Sequence, residues 1–264
     1  MGVRFLLFLS PCLLIAQSPP KKLLAISDTR TGFAHDSASH ALATIERLGN
    51  ESGLFATYIR TETQLVTKAK LGNNAKNLDF FDAVWFMGTG NGDLTDQQKK
   101  DLLAFVHDDG KGFIAAHSGA DAYYNWPEYG EMIGGYFDAH PWGVFDAPVI
   151  IADRGSALMK TFPPSFTFRD EIYVYKAYSK DNVHVLAQLD RSRLDASTAS
   201  SNPAKARELL ATDYHFPVAW TKPYGKGRVF VSTFGHTNES WDDPRIQSMY
   251  LEAIKWAMGI TAAK

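Results

Sequence analysis

The stretch Gly110–Trp142, GKGFIAAHSGADAYYNWPEYGEMIGGYFDAHPW, decides how the rest of the chain is read. After the Gly110 break, Gly112 to Ala116 is a short apolar run without polar alternation, the pattern of a strand covered on both faces in a parallel sheet. It ends on His117, and Ser118-Gly119 then allow a sharp turn and close backbone approach. Ligands of open α/β sheets bind beyond the carboxyl ends of the strands, so His117 is expected on the floor of a site. The ordinary alternative is a hydrogen-bonded core histidine, with Tyr123, Tyr124, Trp126, Tyr129, Tyr136, Phe137 and Trp142 as core around it. The turn after His117, and a second histidine, His140, beside Pro141, favour a functional role.

Working outward, Leu23 to Ile26 reads as a first strand ending in Ser27-Asp28, followed by a loop to His35. Asp36 or Ser37 caps a helix carrying Ala41, Leu42, Ile45 and Leu48 and closed by Gly49-Asn50. Phe55 to Ile59 is a second strand, and Thr61 to Asn77 a short helix with a loop. Ala83 to Met87 is a third strand running into Gly88-Thr89-Gly90-Asn91-Gly92, read as a plain turn in preference to an anion or hydroxyl cradle. Thr95 to Gln98 is a capping box, and His107 suits the last turn of the helix it opens. Val149 to Ala152, Ile172 to Tyr175 and Val183 to Leu189 are strands without long helices between them, a β-rich extension in which His184 is structural. Arg191 to Ala206 reads as a mobile surface loop. Pro217 to Thr221 and Arg228 to Thr233 are the last strands, leading to Phe234-Gly235-His236-Thr237. Asp243 and Pro244 start a terminal helix with the apolar stripe Ile246, Met249, Tyr250, Ala253, Ile254 and Ala257. The first, third, fourth and final strands should be parallel and central, and His107 and His184 should lie outside the site.

Residues 1–18 read as a signal peptide: Arg4 precedes an apolar stretch, Phe5 to Ile15, with Ala16 where cleavage needs a small residue. An exported, periplasmic or extracellular protein is expected, with one domain over 19–264 and no stable membrane insertion. Cys12, the only cysteine, falls in the segment to be removed. The mature chain then has no disulfide, no cysteine-ligated zinc and no cysteine nucleophile. A formal net charge of −2 gives no footprint for nucleic acid.

Four motifs together, GKGFIAAHSGAD, WPEYGEMIGGYFDAHPW, DEIYVY and HFPVAWTKPYGKGRVFVSTFGHTNESWDDPRI, resemble the ThuA-like trehalose-utilisation family over nearly all of the chain after residue 18. The resemblance implies an α/β fold of the flavodoxin-like, class I glutamine amidotransferase-like type: a doubly wound, mostly parallel sheet with a β-rich extension. It also implies a role in carbohydrate catabolism, on a di- or oligosaccharide or a keto-sugar made by a partner sugar dehydrogenase. Where the amidotransferases place Gly-x-Cys-x-Gly, this chain has Ala115-Ala116-His117-Ser118-Gly119, so glutaminase chemistry is excluded. Ser118 stands one residue off the elbow. His236 resembles the superfamily's general-base histidine, with Glu239 as a displaced partner.

Three readings of the site follow. In the first, His117 and His236 exchange protons with Glu171 or Asp138 as carboxylate partner. Asp28, His35, Thr89, Tyr124, Trp126 and Trp142 would then bind the sugar through hydroxyl contacts and aromatic faces. In the second, His117, His140 and His236, with His35 in reserve, hold a zinc-like divalent ion. In the third, the same cleft binds sugar without catalysis. A homo-oligomer is compatible with all three.

Overall fold

The computed structural model describes residues 19–262, so the expected signal segment lies outside the described residues. In chain order the strands are β1 (Lys21–Ile26), β2 (Phe55–Arg60), β3 (Ala83–Phe86), β4 (Gly112–Ala116), β5 (Tyr136–Ala139), β6 (Val144–Ile151), β7 (Ser165–Glu171), β8 (Val174–Lys176), β9 (His184–Leu189), β10 (Pro217–Tyr224) and β11 (Gly227–Ser232). The helices are α1 (Ala38–Ser52), α2 (Asp96–His107), α3 (Pro127–Ile133), α4 (Pro203–Leu210), α5 (Asn238–Asp242) and α6 (Pro244–Ala257).

One nine-stranded sheet runs β2-β1-β3-β4-β11-β10-β9-β6-β7, and β5 and β8 form a separate antiparallel pair. The first five strands are mutually parallel, as their unalternated apolar runs predict. From β11 onward every pairing is antiparallel, which is the β-rich extension. Alternate residues of each central strand feed two cores. Ile114 and Ala116 of β4 join α1 and α6 on one face, while Phe113 and Ala115 join α2 and α3 on the other. All six residues of the α6 stripe are buried, and Asp243 caps that helix by accepting from Arg245 N–H. The capping box between Thr95 and Gln98 is also formed.

Four local expectations are corrected. Helix α1 runs past Gly49-Asn50 and stops at Gly53, in the left-handed region at φ 66. Gly49 is there for close approach, since a Cβ on it would lie 2.7 Å from the Phe55 carbonyl oxygen. Ser37 does not cap α1 with its side chain; its hydroxyl donates instead to the Gly235 carbonyl. No α-helix forms between Thr61 and Asn77, and only a short 3₁₀ turn at Leu78–Phe80 follows. The segment from Arg191 to Ala206 is built of two 3₁₀ turns and the start of α4, and it covers Trp142. The Trp142 indole donates to the Asp195 carbonyl at 2.9 Å, and the Ser200 hydroxyl to the Trp142 carbonyl at 2.7 Å.

Stability should fall in acid. Burial by itself raises the carboxyl pKa of Asp82, Asp101 and Glu252, but their donors outweigh it and all three end below their ordinary values. Asp82 accepts from Lys22 N–H beside the Lys111 and Lys21 ammoniums. Asp101 accepts from Lys68 N–H, Gln97 and Thr67, and Glu252 from Lys160 and Lys255. With folded-state pKa values depressed, the unfolded chain binds more protons in acid. The stabilisation is therefore complete above the ordinary carboxylate pKa of about 4 and is lost as pH falls through the folded values. Thermal melts should show Tm dropping steadily below about pH 4. A Tm unchanged from pH 7 to about pH 3 would contradict this account.

Candidate active site

The site is built where β4 ends. His117 follows Ala116 directly and has φ 41, the left-handed region that a non-glycine residue rarely occupies. Strain of this kind costs about 1–3 kcal/mol and is held by surrounding contacts. Here the His117 Nδ1–H donates to the Thr233 carbonyl at 2.5 Å. Gly119 completes the elbow, because a Cβ there would meet the Phe86 carbonyl oxygen at 2.8 Å. With Nδ1 engaged by a carbonyl, Nε2 carries the lone pair and faces the site.

Four other residues, from three further segments, converge on that nitrogen. The loop after β1 brings His35, whose ring lies 4.8 Å from that of His117 and 5.2 Å from that of His236. The loop after β11 brings His236, with Nδ1 3.2 Å from His117 Nε2. The end of β7 brings Glu171, with Oε2 3.1 Å from His236 Nδ1 and 3.8 Å from His117 Nε2. Tyr173, just beyond it, donates its hydroxyl to His117 Nε2 at 3.0 Å. Donor atoms of His35, His117, Glu171 and His236 all lie within 4.8 Å of one another.

β7 is the far edge of the sheet, so Glu171 reaches the centre only because the extension is tied back to the loop after β11. Asp170 makes the tie. Its buried carboxylate accepts from Gly235 N–H at 2.8 Å, His236 N–H at 3.1 Å and Glu171 N–H at 2.9 Å. Burial pushes its pKa up to about 6 against the pull of those donors. Tyr173 N–H donates in turn to Thr233 Oγ1 at 2.9 Å.

Electrostatics divide the histidines. Burial, then the neighbouring His35, holds His117 well below the ordinary imidazole value, and burial takes His35 down to about 4. Both are neutral near pH 7. His236 is raised by its hydrogen bond to Glu171. Burial keeps Tyr173 a phenol.

The donor set suits a divalent ion. His117 Nε2, His236 Nδ1 and Glu171 Oε2 form a triangle with edges of 3.2, 3.1 and 3.8 Å. Edges of this length would leave room for an ion about 2 Å from all three atoms, the distance at which zinc takes imidazole and carboxylate ligands. Imidazole and carboxylate are ligands such an ion accepts, and the His117 tautomer is fixed by a carbonyl as second-shell contacts of metal sites do.

The remaining expected site residues are distributed as follows. His140 stands beside the group but outside it, with Nδ1 3.4 Å from the other Glu171 oxygen, Oε1. Asp138 faces Lys205 at 2.8 Å and takes no part. Asp138→Asn should leave ligand binding and turnover within about twofold and shift stability by about 1 kcal/mol or less, checked by melts and titration. Trp142 is core, stacked on Phe145, and cannot hold a sugar. Trp126 is buried against Tyr123 and Tyr129, beside Lys99 and away from the histidines. Tyr124 does not line the cavity; its hydroxyl donates to Asp121 and to the Phe137 carbonyl, and both of those residues do. Asp28 and Thr89 shape the loop that carries His35. Asp28 binds Arg30, and Thr89 Oγ1 donates to the Phe33 carbonyl at 2.9 Å. The residues after β3 thus form a packing turn, with Gly90 N–H bonded to the Asp121 carbonyl. The carboxylate beside His236 is Glu171; Glu239 is exposed. His107 and His184 are exposed and pair with Asp108 and Asp153. Asp170, Tyr173 and Asp121 went unrecognised as site residues, although the first two lie in DEIYVY and the third closes GKGFIAAHSGAD.

The parallel half-sheet with its elbow after β4 defines a flavodoxin-like, glutamine amidotransferase-like α/β protein in which an imidazole occupies the elbow. The family model for trehalose utilisation, ThuA, matches residues 22–257, and the chain belongs to that family. A ThuA-like protein of Bacteroides uniformis is similar in fold, with 19% identity, a TM-score of 0.71, and coverage of 94% of this chain and 95% of the other. One from Parabacteroides merdae has 15% identity and a TM-score of 0.67, covering 93% and 92%. A protein of Salmonella typhimurium LT2, described as cytoplasmic, has 13% identity and a TM-score of 0.56, covering 89% and 99%. No curated protein matches the sequence.

Proposed function

We propose that this protein is an exported, divalent-metal-dependent enzyme that processes a small carbohydrate, with His117, His236 and Glu171 as ligands and His35 as a fourth donor. The observation that carries the reading is the triangle of 3.2, 3.1 and 3.8 Å among three buried or half-buried donor atoms. An ion held there would polarise a carbonyl or hydroxyl oxygen of the substrate. The chain's own groups do the rest. Tyr173 presents a phenol hydroxyl, and Asp121 and His140 line the same cavity of about 290 Å³, from which they reach substrate hydroxyls or move a proton. Phe33 and Phe137 supply apolar faces for the C–H surface of a sugar ring. The substrate class is supported by family membership in trehalose utilisation, and export by the Arg4 to Ala16 pattern. No thiol stands at the elbow, so glutaminase chemistry has no nucleophile.

The 3.1 Å contact between His236 and Glu171 also supports a metal-free reading, in which that pair transfers the proton. Elemental analysis and titration with Zn²⁺, Mn²⁺ and Mg²⁺ separate the two. About one ion per chain is expected, removable by chelator, with sugar turnover lost and then restored on adding the ion back. Undiminished turnover in chelated, metal-free protein would leave only the acid–base reading.

A further inference from the structure

Phe33 and Val144 are the only large hydrophobic residues exposed among the described residues, at 69% and 37%. They come from chain-distant elements, the loop after β1 and the first residue of β6, yet line one cavity of about 280 Å³. Val144 lies directly opposite Glu171 in the β6–β7 register, so this cavity adjoins the histidine cluster. Phe33, His35 and His236 line it as well as the cavity that contains Tyr173 and His140, and they form the wall between the two. Single exposed apolar side chains are common on protein surfaces; two flanking one cavity beside a polar cluster are not explained that way.

We infer that this second cavity is a subsite for a second ring of the substrate, which makes the ligand a two-ring glycoside lying across the His35–His236 wall. The inference rests on the carbohydrate reading above. Each cavity is of a size for one ring, and the two together fall within the range of about 300–1,000 Å³ typical of small-molecule sites. Phe33 is preorganised as a platform. Its carbonyl is pinned by Thr89 Oγ1, its ring rests edge-on against His35 at 5.0 Å, and its exposed face is free to stack. Asp36 and Asn238 line the same cavity, exposed and without hydrogen-bond partners among the described residues, and offer acceptors and donors to ring hydroxyls. The shared chemistry is a ring with one flat apolar face, and either a second sugar or an aryl aglycone has it.

Calorimetric titration with trehalose, 4-nitrophenyl glucoside and methyl glucoside tests this on the full chain, wild type against Phe33→Ala and Val144→Ser. Wild type should bind at least one two-ring probe about tenfold or more tighter than methyl glucoside. Phe33→Ala should remove most of that advantage. Val144→Ser should reduce it while leaving methyl glucoside affinity within about twofold. A preference for trehalose assigns the subsite to a sugar, and one for the nitrophenyl compound to an aglycone. No two-ring advantage in wild type, an advantage undiminished in Phe33→Ala, or binding of none of the probes overturns the inference. Metal content measured on the same samples keeps the readings apart. Ion-free wild type that still discriminates two rings from one leaves the subsite standing whatever the outcome of the metal test.

Discussion

Glu171→Gln and His236→Ala should each abolish stoichiometric binding of a divalent ion, and sugar turnover with it. Each removes one corner of a triangle whose other corners cannot close the coordination shell alone. Losing an outer-shell partner of a metal ligand costs about 10- to 100-fold in affinity, and loss of a ligand should exceed that. Glutamine keeps the shape of Glu171 but offers a neutral amide to the ion. His117→Ala should do the same, because Nε2 is the third corner of the triangle. Since the three act as a unit, the double variant His117→Ala/His236→Ala should be little worse than either single one. Thermal shift gives a second readout. An ion at about 100 times its Kd adds about 2.7 kcal/mol, which raises Tm by roughly 5–10 °C in a protein of this size. That shift should vanish in all three variants. Wild-type ion content in Glu171→Gln would exclude this site.

Asp170→Ala should be strongly destabilising. Its carboxylate is fully buried and accepts three backbone N–H groups, those of Glu171, Gly235 and His236. Alanine leaves those donors buried without acceptors, at a cost of about 3 kcal/mol or more, equivalent to a Tm loss of roughly 6–12 °C. Because Asp170 joins the end of β7 to the loop after β11, the loss should also separate Glu171 from His236 and weaken ion binding. Asp170→Asn retains one acceptor oxygen and the side-chain shape. It should fold with a smaller Tm loss and bind the ion more weakly than wild type, which distinguishes positioning from unfolding. Wild-type stability and ion affinity in both variants would show that the tie is dispensable.

The sequence by itself determined the parallel half of the sheet, the elbow and the terminal helix. These are local matters: Ala83–Met87 and Gly112–Ala116 are apolar at every position and so need cover on both faces, and the α6 stripe repeats with helical period. The same reasoning placed His117 and His236 beyond strand ends. Ser37 and Gly49 were misread because a capping serine, or a helix-ending glycine, has the same local signature as one engaged in a tertiary contact. Which carboxylate joins the histidines was decided by tertiary structure alone. Asp138, Glu171 and Glu239 are equally plausible as letters, but Asp138 is taken by Lys205 and Glu239 faces solvent. Glu171 sits on the edge strand farthest from β4 along the sheet, and only the curl of the antiparallel extension, fixed by Asp170, brings it to His236. Nor could composition show that Trp142 and Trp126 fill cores while Phe33 lies open, since burial depends on what the chain folds over a residue. Side chains drawn from four separate loops and strand ends leave no spacing in the sequence, so their grouping became visible only when the fold brought them together.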